Sequence, residues 1–171
     1  ANLTIIPTLG QSKNYGQVDP TFAYSADGLV SNSIVNDSSL ASVVTGALTR
    51  TPGENIGTYA YGISGMGATN YNIRLATSPD QFTVLPAPIG IVIAGNYSGT
   101  NTIAPTSFTV TGLAYGQSIS SITSAVVNDV NVASNGSNYV TSVVGVSGTA
   151  MMSNYYITAR YNGTLNSTTT N

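Results

Sequence analysis

Ten side chains carry all the ionic chemistry this 171-residue sequence offers: Lys13, Arg50, Arg74 and Arg160, and the acids Asp19, Asp27, Asp37, Glu54, Asp80 and Asp129. Histidine and cysteine are absent. Without an imidazole no ordinary side chain changes charge near neutral pH. A Ser-His-Asp relay is therefore excluded, and a Ser-Lys pair would have to use Lys13. The acids stand apart, without the spacing of a pair; only folding could assemble the two carboxylates that glycoside hydrolysis needs. Asp19-Pro and Asp27-Gly-Leu read as turn residues. Asp19, Glu54 and Asp80 are the acids that could gather around calcium with loop carbonyls, yet the dense D-x-D-x-D pattern of a dedicated site is missing. Lys13 raises the thought of an isopeptide bond to an Asn, with Glu54 or an Asp as catalyst. Beside Asn14-Tyr-Gly it reads instead as a solvated turn lysine. The expectation is a protein with no catalytic, cofactor-binding or metal-binding residues, and not an enzyme.

The elements that would position these groups sit in an unusual composition. Charged residues are 6% of the chain, against about a quarter in an ordinary soluble domain, and Ser, Thr, Asn and Gly take their place. Such a surface suits an extracellular or cell-surface setting. Four scattered cations cannot track a phosphate backbone, so nucleic acid is not an expected partner. The longest apolar runs, such as residues 89–94, are far too short for a membrane-spanning helix. Zero cysteine removes disulfides, leaving stability to sheets or to assembly.

Period-two or β-branched runs recur at 3–6, 22–25, 57–61, 71–75, 82–85, 89–94, 107–111, 125–132, 139–146 and 155–161, separated by Gly, Pro, Asn and Asp clusters such as Ser134-Asn-Gly-Ser. One helical candidate, near 37–44, has Asp37 or Ser38 as its cap. Order is preserved when Pro20-Thr-Phe-Ala-Tyr is laid on Pro105-Thr-Ser-Phe-Thr, Leu40-Ala-Ser-Val-Val on Ile119-Ser-Ser-Ile-Thr, and Asn70-Tyr-Asn-Ile on Asn154-Tyr-Tyr-Ile, with offsets near 84. The chain reads as two tandem modules, 1–86 and 87–171, meeting at Phe82, Val84, Pro86, Pro88 and Ile89. Pro86 and Pro88 cannot donate to a ladder, so one strand should end at Leu85 and the next begin near Ile89. So short a junction implies a stiff pair. The expected fold class is all-β: two small antiparallel modules of immunoglobulin-like, Greek-key sandwich type, or alternatively β-grasp-like with a short helix near 37–44.

The first module closes with a strand, a turn and a second strand, "YNIRLATSPDQFTVLP", whereas the second ends in "YYITARYNGTLNSTTTN", without that last strand. Residues 1–7, "ANLTIIP", match "DQFTVLP" in pattern. Leu3, Thr4, Ile5 and Ile6 are therefore expected to complete another module beside Tyr155, Ile157 and Tyr161, either along a longer repetitive chain or across subunits by strand addition. The expected partners are copies of the chain or adjacent repeats. Sequons stand at Asn2, Asn36, Asn96, Asn135, Asn162 and Asn166.

In "LTRTPGENIGTYAY", residues 48–61, Pro52 presets φ for a turn and Gly53 supplies permissive backbone; Tyr59 and Tyr61 then share one face of the following strand. A tyrosine there reads best as a core or inter-module residue with its hydroxyl wet. Together with "YGQVDPTFAYSADGLV" and "NYNIRL", this stretch resembles the MBG repeats of YGX type found in tandem in large bacterial adhesins and filamentous-haemagglutinin-like exoproteins. "NYSGTNTIAPTSFTVTGL" is similar to the sister YDG-type repeat. The resemblance implies cell-surface display, a stalk, fibre or adhesive role without catalysis, and contact with a host surface or glycan through other regions. A filament subunit and a carbohydrate-binding module are the alternative readings.

Overall fold

The computed structural model describes residues 1–32, 37, 39–96, 99–129 and 138–158, with the backbone of 160–161, 164–165 and 168–170. The Ser38 cap, the 134–137 turn, the end of the 125–132 run and the sequons at Asn36, Asn135, Asn162 and Asn166 lie outside the described residues. The chain divides into two units, Ala1–Leu85 and Pro86–Asn171. It is all-β, in several small sheets.

The first unit contains β1 (Asn2–Pro7), β2 (Ser12–Asn14), β3 (Tyr24–Asp27), a single helical turn α1 (Leu40–Val43), β4 (Val44–Thr45), β5 (Thr49–Arg50), β6 (Gly57–Gly62), β7 (Gly67–Ala68), β8 (Asn72–Leu75) and β9 (Gln81–Leu85). Alternation along β1 sends Leu3 and Ile5, both wholly buried, to the core face. β1 pairs antiparallel with β3 and parallel with β8, Leu3 facing Ile73 and Ile5 facing Leu75. β9 lies between β2, parallel to it, and β6, antiparallel to it, and β6 continues to β5. β4 and β7 form a separate ribbon. Phe82 and Val84 of β9 fill the core with Leu48 and Tyr61, and Phe22 meets Tyr61 and Phe82 edge-to-face.

Two expectations change here. The unit is not purely antiparallel, because β1 pairs in parallel with β8 and β2 with β9. Nor is the run Leu3, Thr4, Ile5, Ile6 left over for another module: hydrogen-bonded neighbours from its own unit occupy both edges of β1. A parallel neighbour comes from far along the chain, so local pattern gave no sign of β8 as the partner. At the helical candidate only one turn forms, with Ser39 at the cap position and no side-chain cap bond, too short to make a β-grasp helix.

The second unit contains β10 (Ala87–Gly95), β11 (Thr102–Ile103), β12 (Pro105–Thr111), β13 (Ile119–Val127), β14 (Val140–Gly148), a 3₁₀ turn (Met152–Asn154), β15 (Tyr155–Ile157), β16 (Arg160–Tyr161), β17 (Thr164–Leu165) and β18 (Thr168–Thr170). Its pairings repeat those of the first unit. β10 is antiparallel to β12, as β1 is to β3. The start of β10 is parallel to β15, as β1 is to β8, and its end is parallel to β18, as β2 is to β9. The strand missing from the sequence reading is thus the polar Thr168–Thr170, which no hydrophobic pattern could reveal. Tyr155 and Ile157 face Ala87 and Ile89 of their own unit, and Tyr161 faces Thr164.

β10 also begins earlier than expected and includes Pro88. Its antiparallel partner starts only at Gly90, so at Pro88 one edge carries no ladder and a missing N–H is tolerated. β13 and β14 form a long ribbon, flanked by β11. Within it Thr123 Oγ1 donates to Gly145 O at 3.2 Å; Gly145 has φ 65° and a Cβ there would collide with the Thr123 side chain. Thr45 and Gly67 of the first unit stand in the same relation, also 22 residues apart.

Candidate functional site

β2 is the origin of the main polar feature. Its alternation turns Lys13 inward, opposite Val84 of β9, and leaves the residue 7% exposed. A turn closed by Gln17 N to Asn14 O at 3.1 Å brings Asp19 back toward it. From the other side, β5 delivers Arg50, and the turn after it, Thr51-Pro-Gly-Glu, delivers Glu54. Lys13 Nζ lies 2.7 Å from Asp19 Oδ1 and 2.5 Å from Glu54 Oε2. Arg50 grips Asp19 with two nitrogens, Nε at 2.7 Å and Nη2 at 2.9 Å, and donates from Nη2 to Glu54 Oε1 at 2.7 Å. Two cations and two carboxylates close a ring.

The rest of the guanidinium is also engaged. Nη1 donates to the carbonyls of Thr51 and Gly53, and the group lies over the rings of Tyr59 and Phe82, 4.7 and 5.4 Å from their centroids. Tyr59 donates its hydroxyl to Asn55 O at 2.6 Å, and Gly53, at φ 146°, leaves room for that ring. This is the work of the 48–61 stretch: it wraps a turn around Arg50 and presents Glu54 to Lys13.

Electrostatics follow from the ring. Burial works against the Lys13 ammonium, but hydrogen bonds and charge from Asp19 and Glu54 outweigh it and raise its pKa. The Arg50 hydrogen bonds, helped by Lys13 and opposed by burial, hold the Asp19 carboxyl below the usual range, and Asp19 in turn raises Arg50. A cavity of about 340 Å³ opens over the ring, lined by Asp19, Phe22, Leu48, Arg50, Pro52 and Glu54 among others. It holds a carboxylate pair with its charge already balanced, which gives neither a proton donor nor a vacant cation site. Asp80, the third acid considered for calcium, instead accepts the Gly10 amide at 2.7 Å. Among the described residues no group of three or more acids is placed to hold a metal.

A second polar feature occurs twice. The Tyr71 hydroxyl accepts from Val30 N at 2.9 Å and donates to Asp37 Oδ2 at 2.6 Å, while Asp37 N returns to Val30 O at 3.0 Å. In the second unit Tyr155 accepts from Ala114 N at 2.9 Å and donates to Gln117 Oε1 at 2.6 Å, and Gln117 N returns to Ala114 O at 3.0 Å. The two closed triangles share one design, with a charged acceptor in the first and a neutral one in the second. The hydrogen bond to Asp37 raises the Tyr71 pKa.

Of the junction residues, Phe82, Val84 and Ile89 are core residues of their own units, and Pro86 and Pro88 are half-buried. Of the proposed donor residues, Leu3 and Ile5 are buried, Ile6 is 40% exposed and Tyr155 is the clamp tyrosine. Sequence reasoning missed the ion ring: Lys13 is a buried strand residue, not a solvated turn lysine. The available signal was scarcity, since in a chain with four cations any pair near an acid is conspicuous. The repeated Asn-Tyr at 70–71 and 154–155 was the signal for the clamps.

The two β units share one pairing plan and one hydroxyl clamp, and the first adds the neutralised ion ring. Residues 3–83, within the first unit, match the family model of the MBG domain (YGX type). MBG domains are repeat domains of surface proteins and are generally structural. No curated protein and no solved structure gave a match. Among the described residues no helix is long and apolar enough to cross a membrane.

Proposed function

We propose that the chain is a non-enzymatic structural segment of an extracellular bacterial surface protein, a stalk or fibre piece that spaces other regions from the cell. The observation that carries this reading is the recurrence of one set of pairings and one tyrosine clamp in two consecutive units, the first of which matches the MBG family model. Repetition of a closed module adds length without adding a site. The balanced ion ring supports a role in holding turns rather than in chemistry. Partners are then neighbouring repeats, with any host surface or glycan engaged elsewhere. Filled edges on both sides of β1 give strand donation between subunits no support, and Arg50 already covers one face of the Tyr59 ring. Antibodies raised against the 171-residue chain test the reading on intact cells of the source organism. Labelling that external protease removes is the expected result; labelling only after permeabilisation would overturn it.

A further inference from the structure

We propose that the parallel pairs β1–β8 and β2–β9 of the first unit, and β10–β15 and β10–β18 of the second, carry tension along the chain, which meets them in shear. The inference rests on the stalk reading for its relevance, but its geometry stands alone. In the first unit the chain enters through β1 and leaves through β9. β1 runs parallel to β8 from Asn2 facing Asn72 to Ile5 facing Leu75, with flanking bonds from Asn72 N to Ala1 O at 2.8 Å and from Ala76 N to Ile5 O at 2.9 Å. β2 runs parallel to β9 from Ser12 facing Thr83 to Asn14 facing Leu85, flanked by Thr83 N to Gln11 O at 3.1 Å and Tyr15 N to Leu85 O at 2.8 Å.

Pulling the entry strand by its N-terminal end and the exit strand by its C-terminal end drives parallel neighbours past each other. Their evenly spaced bonds are then strained together rather than opened one by one. In antiparallel neighbours, the same pull would separate the strands from one end. The second unit repeats the device on one strand: the start of β10 is parallel to β15 and its end to β18. Leu3, Ile5, Phe82, Val84, Ile89, Ile91 and Ile93 bury the strands that carry the load, all at 2% exposure or less. Water is thereby kept from the bonds under tension.

Single-molecule stretching of the full chain tests the proposal, because the absence of native cysteine lets handles be placed at will. One variant carries a cysteine at each terminus. A second carries one at the N-terminus and Thr69→Cys, an exposed site next to Asn70, whose carbonyl the Ala1 amine meets at 3.2 Å. In that second geometry β1 and β8 are opened from their common end. Each unit gives a length gain of at most about 290 Å in the terminal pull, from ~3.4 Å per residue over Ala1–Leu85 or Pro86–Asn171, so the weaker of the two terminal events is the one compared with the Thr69 pull. Forced unfolding reads the unfolding barrier. At equal loading rate the terminal pull is expected to need at least double the force of the Thr69 pull. Equal forces, or a weaker terminal pull, would overturn the assignment while leaving the surface-repeat reading to its own labelling test; failed labelling with a strong terminal pull would do the reverse.

Discussion

Tyr155 ties the second unit to Ala114, accepting its amide at 2.9 Å across 41 residues, the same separation at which Tyr71 holds Val30. The bond occupies an amide in a loop that has no strand to satisfy it. Tyr155→Phe keeps the ring and removes both the acceptor of the Ala114 N–H and the donor to Gln117 Oε1. Since Tyr155 is buried, the expected loss is about 1–2 kcal/mol, read as a lower urea midpoint with unchanged slope. Tyr71→Phe, at a more exposed position, is expected to move the midpoint less.

Asp19 and Glu54 share the same cations but differ in exposure, with side chains 33% and 46% in water. Removing one partner of a fully buried ion pair costs about 3–5 kcal/mol. A third of Asp19 is hydrated, so Asp19→Asn is expected to cost about 2 kcal/mol, leaving Lys13 and Arg50 to one carboxylate. Glu54→Gln is expected to cost less than about 1 kcal/mol. Denaturant titration of the two variants ranks them; a larger loss for Glu54→Gln would contradict the assignment of Asp19 as the centre of the ring.

Acid acts on the same group. The Asp19 pKa is lowered in the folded state. Its contribution is therefore present above the unfolded value of about 3.9 and is lost as pH falls through the folded value. For Lys13 the folded pKa is raised, so its contribution is complete below about 10.4 and is lost as pH rises through the folded value. Melting temperatures of the wild type and Asp19→Asn should differ at neutral pH and converge in strong acid. A gap that persists unchanged there would show that the ring is not the source.

Proximity alone would suggest an amide between Lys13 Nζ and Asp19 Cγ, formed with loss of one water. That step needs a neutral amine and a neutral acid, and Arg50 with the ring drives both groups toward their charged forms. The intact mass should equal the sum of the residues, 17.5 kDa. A mass lower by one water, with residues 13 and 19 linked in the peptide map, would contradict this chemistry.

Period-two runs revealed β1, β6, β8, β9 and the core of β10, because each buries one apolar face. Short strands such as β2, with one inward residue, and β18, three threonines, carry no such pattern. Parallel pairing escaped for a different reason: the local sequence of β1 is the same whether its neighbour is β8 or a strand of another copy. The ion ring depended on two turns converging from residues 13–19 and 50–54, a relation fixed by β9 lying between β2 and β6.

Eight of the ten charged residues lie in the first unit, leaving Asp129 and Arg160 to the second. Two neighbours built to one plan therefore answer their surroundings differently. Brine and acid speak to the first through its ion ring, whereas the second is clamped through an amide at Gln117 and has no such ring among its described residues. Along a chain of such pairs, a change in the medium would loosen alternate links and leave the others to hold.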